Sequence, residues 1–103
     1  MTTCGTAATK LIRDLKIKTV VIDEATQVKE HESYLATLEA EQIILVGDQN
    51  QLGPTLEFQV SGPTSMYQRL IQANYPWVFL DTQYRMHPSL LKVPNYLFYN
   101  GKI

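Results

Sequence analysis

Three short apolar runs constrain this 103-residue chain most strongly, because each breaks off on charged or amide side chains. The first, Lys18-Thr19-Val20-Val21-Ile22, is β-branched and apolar on consecutive positions, the composition of a parallel strand covered on both faces. It stops at Asp23-Glu24. The second, Ile43-Ile44-Leu45-Val46, stops at Gly47-Asp48, and the third, Trp77-Val78-Phe79-Leu80, stops at Asp81-Thr82-Gln83-Tyr84-Arg85. Elsewhere the periodicity is helical. Ala7, Leu11, Ile12 and Leu15 form one face of a helix over residues 6–15, Tyr34, Leu35 and Leu38 one side of residues 30–39, and Met66, Leu70 and Ile71 the buried side of residues 64–73. Two short helical pieces are expected after Arg85, the second opened by Pro94 at its first turn, before a terminal turn at Asn100-Gly101. Parallel strands need crossovers, and each crossover packs a helix on a sheet face, so the fold class is α/β with a layered parallel sheet. Ligands of open α/β sheets bind at the carboxyl ends of the strands, where the three polar clusters fall.

Charge and composition exclude several classes of function. Nine basic residues against ten acidic ones leave a net charge of -1, so a bulk attraction for nucleic acid or anionic lipid is absent and any polyanion must be gripped locally. The longest strictly apolar runs are four residues, against roughly 20 needed to cross a bilayer, and a signal-peptide layout is missing. A soluble protein with no membrane partner is expected. Cys4 has no disulfide partner, and His31 and His87 are too far apart to suggest a zinc spacing, which fits an intracellular setting, cytoplasmic or nuclear.

Each polar cluster has a chemical reading and a plainer one. Asp23 and Glu24 after a strand are suited to hold a hydrated magnesium ion with one carboxylate and polarise a water with the other; such pairs also cap helices or lie solvated in turns. Gly47-Asp48-Gln49-Asn50-Gln51-Leu52-Gly53-Pro54 offers amides to phosphate oxygens or to a water, and is also an ordinary polar turn composition. In Gln83-Tyr84-Arg85-Met86-His87-Pro88 the guanidinium is able to fork onto a phosphate, or to serve as a surface ion-pair partner.

Taken in order, DEATQ, GDQNQLGP and QYRMHPSL, each after an apolar strand, resemble the superfamily 1 helicases. Within that superfamily the chain is most similar to the nonsense-mediated-decay RNA helicases and the related NFX-type helicases, through Met1-Thr2-Thr3-Cys4-Gly5 and Pro94-Asn95-Tyr96-Leu97-Phe98-Tyr99-Asn100-Gly101 as well. The resemblance implies ATP and Mg2+ as cofactors, with Asp23 as the magnesium ligand, Glu24 as the general base and Gln27 closing the DEAxQ motif. Gly47, Asp48, Gln51 and Pro54 match the motif whose glutamine senses the γ-phosphate, and Arg85 matches the arginine that reaches that phosphate from the second lobe. It also implies a single-stranded nucleic-acid partner, RNA in preference to DNA, with Thr2, Thr3 and Pro54 as candidate contacts.

The sequence also departs from the family pattern. No G-x-x-x-x-G-K-[ST] phosphate loop occurs, and Thr6 stands where alanine is frequent. The expected unit is therefore an internal piece of a longer helicase: residues 1–82 from the first RecA-like (P-loop NTPase) lobe, residues 83–103 opening the second, and the remainder of the helicase core required for activity. In that core the missing phosphate-loop strand lies between the second and third apolar runs, so two strands should pair and the third stand off, leaving a marginal chain without ATPase activity of its own. Two other functions fit parts of the pattern. One is a phosphoacceptor signalling domain using Asp48; the other is a non-catalytic binding or scaffold module derived from a helicase. For the remaining side chains the plain readings are a small buried Cys4, a surface or capping His31, a His87 that shapes the turn before Pro88, and core packing for Tyr96, Phe98 and Tyr99.

Overall fold

A computed structural model describes residues 1–56 and 61–103. Two parallel strands, β1 (Thr19–Ile22) and β2 (Gln42–Leu45), form a sheet in the register Thr19 to Gln42 through Ile22 to Leu45. The ladder continues at its carboxyl end, where Val46 N donates to the Ile22 carbonyl (2.9 Å) and Ala25 N to the Val46 carbonyl (2.8 Å). The crossover between the strands carries a 3₁₀ turn, Ala25–Gln27, and helix α3, Glu30–Thr37. Before β1 lie α1 (Cys4–Ala7) and α2 (Lys10–Arg13); after β2 come α4 (Met66–Gln72) and α5 (Pro88–Phe98). This is the expected α/β layout of strands and crossover helices.

Several elements differ from the sequence expectation. The helix expected over residues 6–15 is divided because Thr9 is extended (φ -72°, ψ 152°) and its hydroxyl donates to the Thr6 carbonyl at 2.7 Å, a local bond that competes with helix propagation. Trp77-Val78-Phe79-Leu80 forms no strand: among the described residues its backbone joins no ladder, and Trp77, Val78 and Leu80 are exposed. The two helical pieces after Arg85 are one helix, opened by Pro88 rather than by Pro94. His87 caps it, with Nδ1 accepting from Ser89 N at 3.3 Å, as its turn-shaping role implied. Pro94 sits inside α5 and removes one ladder donor without ending it.

Burial differs more than topology does. The strands are not covered on both faces, since Val21, Ile43 and Ile44 are exposed. The buried stripe of α3 is Ser33 and Thr37 in place of Tyr34, Leu35 and Leu38, which are exposed, the two leucines lining an open groove beside β1 and the first two helices. Tyr96 and Phe98 are exposed and Tyr99 is half-buried, so that aromatic group does not fill a core. Among the described residues the buried set is Ile22, Ala25 and Met66 with the small polar residues Thr26, Ser33, Thr37 and Ser65, on β1, the 3₁₀ turn, α3 and the start of α4. There the 3₁₀ turn packs on α4, and α3 packs on α4 and β1. The Arg69–Glu30 ion pair (2.5 Å) ties α4 to α3, and Arg13–Glu39 (2.6 Å) ties α2 to the segment after α3. Both are solvent-accessible, so each contributes at most about 1 kcal/mol. The accessible surface is 8410 Å², against about 5,900 Å² for a compact monomer of this mass. The radius of gyration is 15.8 Å, against about 13 Å.

Candidate active site

The two polar clusters that follow β1 and β2 lie side by side because the strands are paired. At the end of β1 the chain turns through Glu24, whose backbone is left-handed (φ 51°). For a non-glycine residue that conformation costs roughly 1–2 kcal/mol. Three bonds hold the turn: Glu24 N donates to Asp23 Oδ1 (3.0 Å), Gln27 N to the Glu24 carbonyl (2.9 Å), and Ala25 N across to Val46. Gln27 Nε2 donates to Glu24 Oε2 at 3.1 Å, which joins the last residue of DEATQ to its glutamate. Asp23 and Glu24 are both exposed.

Gly47 is required by contact. A Cβ there would lie 3.2 Å from Thr26 N and from Thr26 Cγ2, both on a residue 5% exposed. The glycine lets the second polar loop approach the 3₁₀ turn. Past it, Asp48 organises the loop. Its Oδ1 accepts from Asn50 N (2.9 Å), and its Oδ2 accepts from Gln51 Nε2 (2.9 Å) and from the Tyr99 hydroxyl (2.5 Å). Partial burial pushes the Asp48 carboxyl up, but the bonds from Tyr99, Asn50 and Gln51 outweigh it and hold the group below its ordinary value. The Tyr99 phenol is pushed up, first by its bond to Asp48 and then by burial. Tyr67, from α4, donates its hydroxyl to the Gly47 carbonyl at 3.1 Å, and Asn50 Nδ2 donates to the Phe98 carbonyl at 2.9 Å.

The sequence-derived candidates thus fall into separate groups. Asp23, Glu24 and Gln27 are joined by hydrogen bonds, and so are Asp48 and Gln51, next to Gly47. Arg85 is exposed; its backbone N donates to Gln83 Oε1 (2.9 Å), and among the described residues its guanidinium has no hydrogen-bond or ion-pair partner. Thr3 Oγ1 caps α1 by accepting from Thr6 N (3.2 Å), Thr2 is exposed and Pro54 half-buried. Of the other residues at the site, Tyr67 carries no signal in the sequence, Asn50 is there one of the loop amides, and Tyr99 reads as core packing. Tyr99 and Asp48 are 51 positions apart, and nothing in the local pattern links them.

Among the described residues no group of three or more His, Cys, Asp or Glu side chains forms a metal cage. The donor set at Asp23, one carboxylate with Oδ1 committed to its own turn, suits a magnesium ion that keeps waters and is shared with a substrate phosphate. Cys4 is half-buried and its thiol is pushed up, by burial first and then by Glu32, away from reactivity.

The carboxylates and amides thus stand at the carboxyl ends of adjacent parallel strands, the edge of an α/β sheet where ligands bind. Comparison with known proteins gives the family: residues 1–57 match the AAA domain family, residues 63–103 match a second AAA domain family, and the chain belongs to the AAA domain proteins. It is 39% identical over 106 residues to the ATP-dependent helicase NAM7 of Saccharomyces cerevisiae and 40% identical over 106 residues to the ATP-dependent helicase upf1 of Schizosaccharomyces pombe. It is 37% identical over 108 residues to the 5'-3' DNA helicase ZGRF1 of Mus musculus. Each match covers 98% of this chain but only 11%, 12% and 6% of the respective relative, so the chain spans about a tenth or less of their length. The resemblance to superfamily 1 helicases of the nonsense-mediated-decay branch is borne out. The phosphoacceptor reading is set aside by this membership. No helix among the described residues is long and apolar enough to cross a membrane.

Proposed function

We propose that this chain is the segment of an ATP-dependent nucleic-acid helicase that hydrolyses the γ-phosphate and reports its loss. Residues 1–82 are the carboxyl-terminal part of a first RecA-like lobe that lacks its phosphate-loop strand, and residues 83–103 open the second lobe. The observation that carries this reading is the pairing of β1 with β2, which sets DEATQ beside GDQNQ at one sheet edge. Asp23 would hold the magnesium ion that accompanies ATP, which would supply charge neutralisation on the phosphates. Glu24 orients and deprotonates the attacking water, Gln27 steadies the Glu24 carboxylate through the bond already described, and Gln51 senses the γ-phosphate. Arg85, with its guanidinium unengaged among the described residues, is available to the same phosphate from the second lobe.

Single-stranded nucleic acid, RNA in preference to DNA, is the proposed partner. The exposed Thr2 is the best placed of the candidate contacts, because the Thr3 hydroxyl is occupied by its cap. The remainder of a helicase core is required for turnover. The test is a chimera in which these residues replace the matching segment of yeast NAM7. Magnesium-dependent ATP hydrolysis is expected to persist, to be lost in Glu24→Gln, and to fall about 10³–10⁵-fold in Arg85→Ala with nucleotide still bound. A chimera whose turnover is indifferent to both substitutions refutes the proposal.

A further inference from the structure

The contact least anticipated by the sequence joins the GDQNQ loop to the far end of α5. Two consecutive residues of that end meet the loop: the Phe98 carbonyl accepts from Asn50 Nδ2, and the Tyr99 hydroxyl donates to Asp48 Oδ2. The same Asp48 oxygen accepts from Gln51 Nε2. We propose that Tyr99 is a positioning residue for Gln51: by fixing Asp48 Oδ2, its hydroxyl fixes the acceptor to which the glutamine side chain is tied. This rests on the proposed function only in naming Gln51 the phosphate-sensing residue; the contact itself does not depend on that reading.

The chemistry favours a directed bond over incidental packing. Asp48 Oδ2 has two donors on it while Oδ1 holds the Asn50 amide, so the carboxylate is locked about its own axis. A phenol donating to a carboxylate is a charge-assisted bond, stronger than a neutral one. Without it, Asp48 is free to turn and Gln51 Nε2 loses a fixed partner. The link also has a consequence along α5. The helix is 11 residues long, which is about 16 Å. Arg85 lies three residues before its first residue and Tyr99 directly after its last, so one helix connects the arginine turn to the glutamine loop.

The test uses the NAM7 chimera that carries these residues, with Tyr99→Phe, which removes one oxygen and keeps the ring. Two quantities are read: the side-chain amide resonance of Gln51 by NMR, and hydrogen exchange of the Asn50 amide, with the Val21 amide in β1 as reference. In the parent chimera the Gln51 amide resonance should follow the titration of the Asp48 carboxylate. In Tyr99→Phe its titration midpoint should rise, and Asn50 exchange should quicken about five-fold, while Val21 is unchanged. Asp48→Asn should abolish the titration. A Gln51 resonance insensitive to Tyr99→Phe, or an Asn50 amide unprotected in the parent chimera, overturns the proposal. Neither readout involves ATP turnover, so its failure is distinguishable from failure of the helicase reading.

Discussion

Gly47→Ala is the substitution whose consequence follows most directly from contact geometry. The added Cβ would stand 3.2 Å from Thr26 N and Thr26 Cγ2 and 3.4 Å from Ala25 N. Ordinary contact distances are longer by a few tenths of an ångström, so something must move. Thr26 and Ala25 are 5% and 1% exposed, and two of the three contacts are to backbone nitrogens, so no flexible side chain can swing aside. Relief comes by pushing the 3₁₀ turn away from β2, which stretches the 2.8 Å bond from Ala25 N to the Val46 carbonyl. Overpacking at well-packed sites costs about 1–3 kcal/mol. At about 1.4 kcal/mol per decade, that is a 5- to 150-fold increase in local opening. Hydrogen exchange of the Ala25 amide measures it. Gly53→Ala is the control, since among the described residues the nearest atom to its Cβ is Thr64 Oγ1 at 4.0 Å. If Gly47→Ala leaves Ala25 exchange at the parent rate, the close approach of loop and turn is not a constraint, and the reason given for glycine at this position is wrong.

Two further predictions follow from charge and surface. Asp48 has its folded value lowered from 3.8, through the three hydrogen bonds that overcome its burial, so its contribution is complete above pH 3.8 and is lost as pH falls through the lowered value. Tyr99 has its folded value raised from 10.0, chiefly by the bond to Asp48, so its contribution is complete below pH 10.0 and is lost as pH rises through the raised value. Protection of the Asn50 amide, corrected for intrinsic exchange, should therefore be flat between these limits and decline outside them; a midpoint near neutrality would contradict the assignment. Separately, an accessible surface of 8410 Å², about 2,500 Å² above that of a compact monomer, leaves too little burial to offset chain entropy. The 103-residue chain alone should show a broad calorimetric transition without a sharp heat-capacity peak, and no ATP hydrolysis. A cooperative peak with turnover would overturn that expectation.

The sequence was a good guide to order and a poor one to burial, for an identifiable reason. Thr19–Ile22 and Gln42–Leu45 were legible because β-branched runs between turn residues are local signals. The polar stops after them were legible for the same reason, as was His87 at the start of α5. Burial depends on what lies across from a side chain. Val21 and Ile44 have the composition of doubly covered strand residues and stand exposed, and Leu35 and Leu38 line an open groove while Ser33 is covered. Trp77-Val78-Phe79-Leu80 has strand composition, yet a strand exists only where a neighbour accepts and donates, and among the described residues none is paired with it. At the candidate site, Gln27 and Glu24 are three apart and their bond was within reach of sequence reasoning. The tie between Asp48 and Tyr99 spans 51 positions and appears only once α5 is packed.

The central claim is that Asp23, Glu24, Gln51 and Arg85 serve one terminal phosphate. Its most direct test is a structure of the NAM7 chimera with magnesium and a non-hydrolysable ATP analogue. The account predicts Asp23 at the metal, Glu24 on the in-line water, and Gln51 Nε2 and the Arg85 guanidinium within hydrogen-bond distance of the γ-phosphate. A complex with the γ-phosphate bound and Arg85 turned to solvent, or with Gln51 still closed on Asp48 alone, would contradict it.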